Sequence, residues 1–189
     1  MTASYNYHRL PNGIRLIHRQ KAGQIAHLAL MVDTGSRDEM HKEFGMAHLI
    51  EHMVFKGTKK RKAFHVLSRL ENVGGELNAY TTKEETCIHA SFLNLYCDRS
   101  MELLADITFN ASYPAHELEK EKEVILDEIN SYKDSPSEQI FDDFEDQLFD
   151  GHPIGHPILG TSESVKRLSR NDLLRFIKRN YSASKMVLA

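Results

Sequence analysis

The sequence predicts an α+β domain, a mostly antiparallel β-sheet with helices packed on one face. Three observations predict it. Extended segments punctuated by turn residues come first, helical periodicity takes over from Asp98, and one more apolar, strand-like segment closes the chain. A chain of 189 residues can bury one well-packed core and is too short for two large ones.

Leu10-Pro11-Asn12-Gly13 is a turn signal, and Ile14 to His18 after it reads as a strand. Gln24 to Thr34 reads as a longer strand ended by Gly35-Ser36. Gly45 to Phe55 has helical patterning, with Gly57 placed as a C-terminal cap, and Ala63 to Val73 is a second helix stopped by Gly74-Gly75. Glu76 to Thr82 and Thr86 to Asn94 form a hairpin around the charged turn Lys83-Glu84-Glu85. Helices are expected at 98–110, 114–132, 137–149 and 171–180, with Pro114 suited to a first helical turn. The Gly- and Pro-rich segment 150–160 is a loop. The chain closes on Lys185-Met186-Val187-Leu188-Ala189 without a polar tail, so the full protein is expected to continue beyond that strand.

Composition narrows the function. Hydrophobic residues make up 41% and charged residues 27%, an ordinary balance for a water-soluble protein. A net charge of −3 and the lack of a basic block exclude nucleic acid and an anionic membrane as expected partners. Met1 to Asn6 has no charged region leading into an apolar stretch, so no signal peptide is read. The apolar run from Ala26 to Val32 is interrupted by His27 and is too short to span a bilayer. A cytoplasmic location is therefore expected. Cys87 and Cys97 lack metal-type spacing and are expected to be reduced, largely buried thiols.

The chemistry sits in His48-Leu49-Ile50-Glu51-His52, inside the helix expected at 45–55. At about 100° per residue, His48 and His52 project about 40° apart, one turn above the other, so both imidazoles can reach one ion. Glu51 lies about 60° from His48 on the same side. Met46, Leu49, Ile50 and Met53 cover the opposite face, which buries the helix and leaves three ionisable groups in need of a partner or a function. Such histidines can be satisfied core residues, but a second acidic cluster argues for a metal. Zinc sites with two histidines commonly take a carboxylate as third ligand and leave the fourth position to water.

The helix expected at 114–132 supplies that carboxylate. Its apolar stripe is Leu118, Ile125 and Ile129; Glu121 and Glu128 lie beside the stripe, while Glu119, Glu123 and Asp127 point away as a solvated face. Glu117, in the first turn, suits the helix dipole. Glu121 and Glu128 are about 10 Å apart along the axis, so one should bind the ion and the other orient a histidine. Spacing leaves open which does which. A second metal site at His152 and His156 is the weaker reading of that pair; a polar loop conformation is expected instead.

The sequence resembles the pitrilysin-type metallopeptidases, the M16 family, whose inverted zinc motif is His-x-x-Glu-His. The likeness runs through Gly45 to Thr58, Gly74 to Thr81, Val124 to Ile129, His156 to Thr161 and Tyr181 to Ala189. It implies a pitrilysin/LuxS-like fold and a zinc endopeptidase acting on unfolded or partly folded peptides. It implies that His48, His52 and Glu128 are Zn2+ ligands, Glu51 the general base and Glu121 a supporting catalytic carboxylate. The strand holding Asn78, Ala79 and Tyr80 would be an exposed edge that pairs with the peptide substrate. It further implies that residues 1–189 are an N-terminal zinc-binding domain. The related C-terminal half would be absent from this sequence, and a partner subunit or a second copy in a homodimer is the other way to supply one. The alternative is a non-catalytic, structural or substrate-holding half. Against it, His48, Glu51, His52 and Glu128 are all present.

Overall fold

The computed structural model describes residues 4–189. Met1 to Ala3, part of the segment read for a leader, lie outside the described residues. The strands are β1 (Asn6–Arg9), β2 (Arg15–His18), β3 (Ile25–Val32), β4 (Glu76–Thr81), β5 (Thr86–Leu93) and β6 (Met186–Leu188). The helices are α1 (Met46–Met53), α2 (Ala63–Glu71), α3 (Cys97–Phe109), α4 (Ala115–Lys133), α5 (Pro136–Leu148), α6 (Ser162–Arg167) and α7 (Arg170–Asn180).

The six strands form one sheet in the order β1-β2-β6-β3-β5-β4. Its pairings are antiparallel except β2 with β6. β3 and β5 are its long central rungs, in the register Leu28↔Ala90 and Leu30↔Ile88. These side chains, with Val32 and Phe92, are buried beneath the helices, while Ala29, Met31, His89 and Ser91 on the other face are only half-buried. Alternation along β3, β4 and most of β5 thus places the helices on one face, the expected α+β architecture. β4 is an edge strand, bonded only to β5.

α1 lies deepest. Met46, Leu49, Ile50 and Met53 are fully buried, and each contributes about 1.5–3 kcal/mol of apolar burial. That packing fixes the helix carrying the two histidines. Gly45 precedes it with φ +90, and Gly160 has φ +72. A Cβ on Gly160 would stand 2.5 Å from Phe44 O, and one on Gly45 would stand 2.7 Å from Leu159 O. The two backbones cross too closely for any side chain.

Five expectations need correction. Gly57 does not cap α1, whose cap is Val54; it lies four residues past the helix and bridges to Lys62. β1 was not anticipated, because all four of its residues are exposed and show no alternation. α6 was missed because six residues are too few to display a periodicity; its Thr161 cap, accepting from Ser164 N–H, was the available signal. Pro114 caps α4 rather than entering its first turn. Cys97 is exposed, unlike Cys87, since it opens α3 on the solvent side. Among the described residues no helix is long and apolar enough to cross a membrane.

Candidate metal centre

α1 packs against α4, and the contact brings the two acidic positions to the two histidines. His48 Nε2 lies 3.0 Å from Glu128 Oε2, and His52 Nε2 lies 3.7 Å from the same oxygen. The imidazole centroids are 4.7 Å apart. Donor atoms of His48, His52 and Glu128 all fall within 4.8 Å of one another, and among the described residues this is the only His/Cys/Asp/Glu group so arranged. Glu121 takes a different place: its Oε2 is 3.0 Å from His52 Nδ1, on the far side of the ring. The seven-residue spacing along α4 thus puts one carboxylate in front of the imidazoles and the other behind His52.

Glu51 Oε2 lies 3.6 Å from His48 Nδ1. Burial pulls the Glu51 carboxyl upward, but His48 and then Thr81 outweigh it and hold the group below the usual carboxylate range. Burial likewise disfavours a charged His48, yet Glu51 and Glu128 raise it above the usual imidazole range. The two shifts are one coupling: the His48 imidazole and the Glu51 carboxylate each favour the other's charged form. Thr81 Oγ1 is itself buried and forms no well-aligned hydrogen bond, so its effect on Glu51 is one of proximity.

Three residues around the site were not anticipated. Lys56 Nζ lies 2.7 Å from Glu121 Oε1. Its position four residues after His52 was the available signal. Thr81 comes from the edge strand, and no local pattern links it to α1. Glu39 caps α1: its side chain is fully buried and accepts from Gly45 N–H at 2.9 Å and Ala47 N–H at 2.7 Å. Burial drives Glu39 well above the usual carboxylate range against the pull of those donors. His156 packs beside it, 3.7 Å from Glu39 and stacked on Phe44, with Nε2 2.9 Å from Ser36 O. His152 is exposed and engages Ile154 N–H. His152 thus makes its contact within the loop, whereas His156 is buried and reaches out of it to Ser36, Glu39 and Phe44.

On β4, Asn78 and Tyr80 are exposed and Ala79 half-buried, and Asn78 Oδ1 accepts from Ala79 N–H at 2.8 Å. Thr81 ends the same strand beside Glu51, so the edge runs directly up to the candidate base.

Residues 15–162 match the family described as Insulinase (Peptidase family M16). This chain belongs to that family. An uncharacterized zinc protease of Mycobacterium leprae is 38% identical over 95% of the chain, and the beta subunit of the mitochondrial-processing peptidase of Caenorhabditis elegans is 37% identical over 95%. The chain spans 41% and 39% of these two relatives, well under half of each. A protease from Helicobacter pylori has the same fold, with a TM-score of 0.94 and 22% identity over 98% of this chain and 45% of its own. The fold of that family is thereby shown for this chain.

Proposed function

We propose that this chain carries the zinc site and the general base of an M16 endopeptidase that hydrolyses unfolded or partly folded peptides. The observation that carries the reading is the convergence of His48, His52 and Glu128 within 4.8 Å, with Glu51 beside them. The donor set suits zinc: two imidazole nitrogens and one carboxylate oxygen, with room left for water. His52 also has its remote nitrogen engaged by Glu121, which leaves Nε2 for the ion.

Bound there, zinc would supply Lewis acidity, acidifying a water and polarising the scissile carbonyl. The chain's own residues supply the rest. Glu51, kept as a carboxylate, accepts the proton of the attacking water at its Oε atoms and returns it to the leaving amine. Glu121 holds His52 in one tautomer. The β4 edge at Asn78, Ala79 and Tyr80 takes the peptide as an added strand, which sets the scissile bond's distance from Glu51. In the complete protein a second related half, covalent or separate, would close over the peptide and exclude bulk water.

Zinc analysis of purified protein against His48→Ala tests the ligand set, and undiminished zinc in the variant would overturn it. In the complete enzyme, Glu51→Gln is expected to keep zinc and lose peptide hydrolysis by about 10²–10⁴-fold, the range for a removed general base. Near-normal turnover would remove Glu51 from the mechanism. A wild-type protein that binds zinc but turns over no peptide would favour the substrate-holding alternative.

A further inference from the structure

Lys56 lies just beyond α1, and the metal reading gives it no role. Its ammonium sits 2.7 Å from Glu121 Oε1, while Oε2 of the same carboxylate sits 3.0 Å from His52 Nδ1. Glu121 is thus gripped at both oxygens. A carboxylate held at one oxygen turns easily about its broad terminal torsion; a second anchor removes that freedom. The carboxylate is also well shielded, at 10% side-chain exposure, so the ion pair is poorly screened by water.

Charge balance points the same way. Glu51, Glu121 and Glu128 crowd the two imidazoles, and a divalent ion would still leave one negative charge over. Among the described residues, Lys56 is the only Lys or Arg within ion-pair distance of any of the three. The nearby Glu117 does not compete for it, being engaged by Lys120 and His116.

We infer that Lys56 is a positioning residue acting through Glu121. It pins one carboxylate oxygen so that the other stays on His52 Nδ1–H, which turns the Nε2 lone pair of His52 toward Glu128 and the ion. The inference rests on the zinc reading above, and it predicts coupling rather than simple loss.

The test is a double-mutant cycle on zinc affinity, measured on the full chain by competition with a chromophoric chelator. Glu121→Gln is expected to weaken zinc by about 10- to 100-fold. Lys56→Met should weaken it by a smaller factor, and Lys56→Arg, which keeps a cation at the same carboxylate, should restore most of the loss. In the Glu121→Gln background, Lys56→Met should cost nothing further, because the group it acts through is already gone. Losses that multiply in the double variant would overturn the inference. So would an unrescued Lys56→Arg protein with an unchanged far-ultraviolet spectrum, which also keeps the claim testable if Lys56→Met unfolds. Wild-type protein without zinc affinity would instead overturn the metal reading itself, and wild-type affinity in Glu121→Gln would remove the supporting role of Glu121.

Discussion

Glu39→Ala is the sharpest probe of how the helix carrying His48 and His52 is held. Among the described residues the carboxylate is the only side chain bonded to Gly45 N–H and Ala47 N–H, at 2.9 and 2.7 Å, and it lies entirely inside the protein. Truncating it strands two buried donors at the start of α1, where water cannot easily replace it. Each stranded donor costs about 1–3 kcal/mol. Relief from burying a carboxyl group offsets part of this, since burial alone already pushes Glu39 well above the usual carboxylate range. The expected net loss is about 3 kcal/mol, a large fraction of the roughly 5–15 kcal/mol that holds a domain together. With a urea slope of about 2 kcal/mol per molar, the unfolding midpoint should fall by about 1.5 M at unchanged slope. Glu39→Gln keeps one acceptor oxygen and should fall between wild type and Glu39→Ala. A midpoint shift under about 0.3 M for Glu39→Ala would refute the argument, showing that the two amides find other partners.

Two further perturbations separate stability from binding. Ala79→Pro removes a backbone donor from the sheet edge, where proline is tolerated; zinc content should hold while KM for an extended peptide rises by about tenfold or more, and an unchanged KM would exclude strand addition at β4. Asp172 is held below the usual carboxylate range, first by the Ser169 hydroxyl and then by Ser169 N–H and Arg175, against the cost of burial. Because its folded value is depressed, the stability it contributes is complete above about pH 3.9 and disappears as pH falls through the folded value. The thermal midpoints of wild type and Asp172→Asn should therefore differ at neutral pH and converge in acid. A gap that stays constant down to pH 2 would show that the α7 cap does not depend on that charge.

Much of the site could be read from short-range pattern. The i,i+4 spacing of His48 and His52 is a local fact of helical geometry, and the buried face of α1 follows from Met46, Leu49, Ile50 and Met53. Which of Glu121 and Glu128 stands in front of the histidines could not be read from spacing, because it depends on how α4 is rotated against α1. Lys56, Thr81 and Glu39 were invisible for the same reason in stronger form: each meets its partner through tertiary packing, and Thr81 arrives from a strand thirty residues away from Glu51. At the level of the fold, segments with a hydrophobic face were placed to within a residue or two. β1 and α6 were missed because one carries no buried residue and the other is too short to repeat.

The position of β6 has a consequence for how this molecule comes into being. It lies between β2 and β3, pairing Arg15 with Val187 and Met31 with Val187. The first hairpin therefore has no route into the sheet except through the last strand, about 170 residues later. During synthesis the β1–β2 hairpin must wait with the free edge of β2 unpaired while β3, β4, β5 and α1 can already assemble. Docking of β6 then joins the hairpin to the central strands in a single late step, so this part of the sheet should form slowly and after them. The His48, His52 and Glu128 cluster on α1 and α4 can thus come together before the sheet behind it is closed.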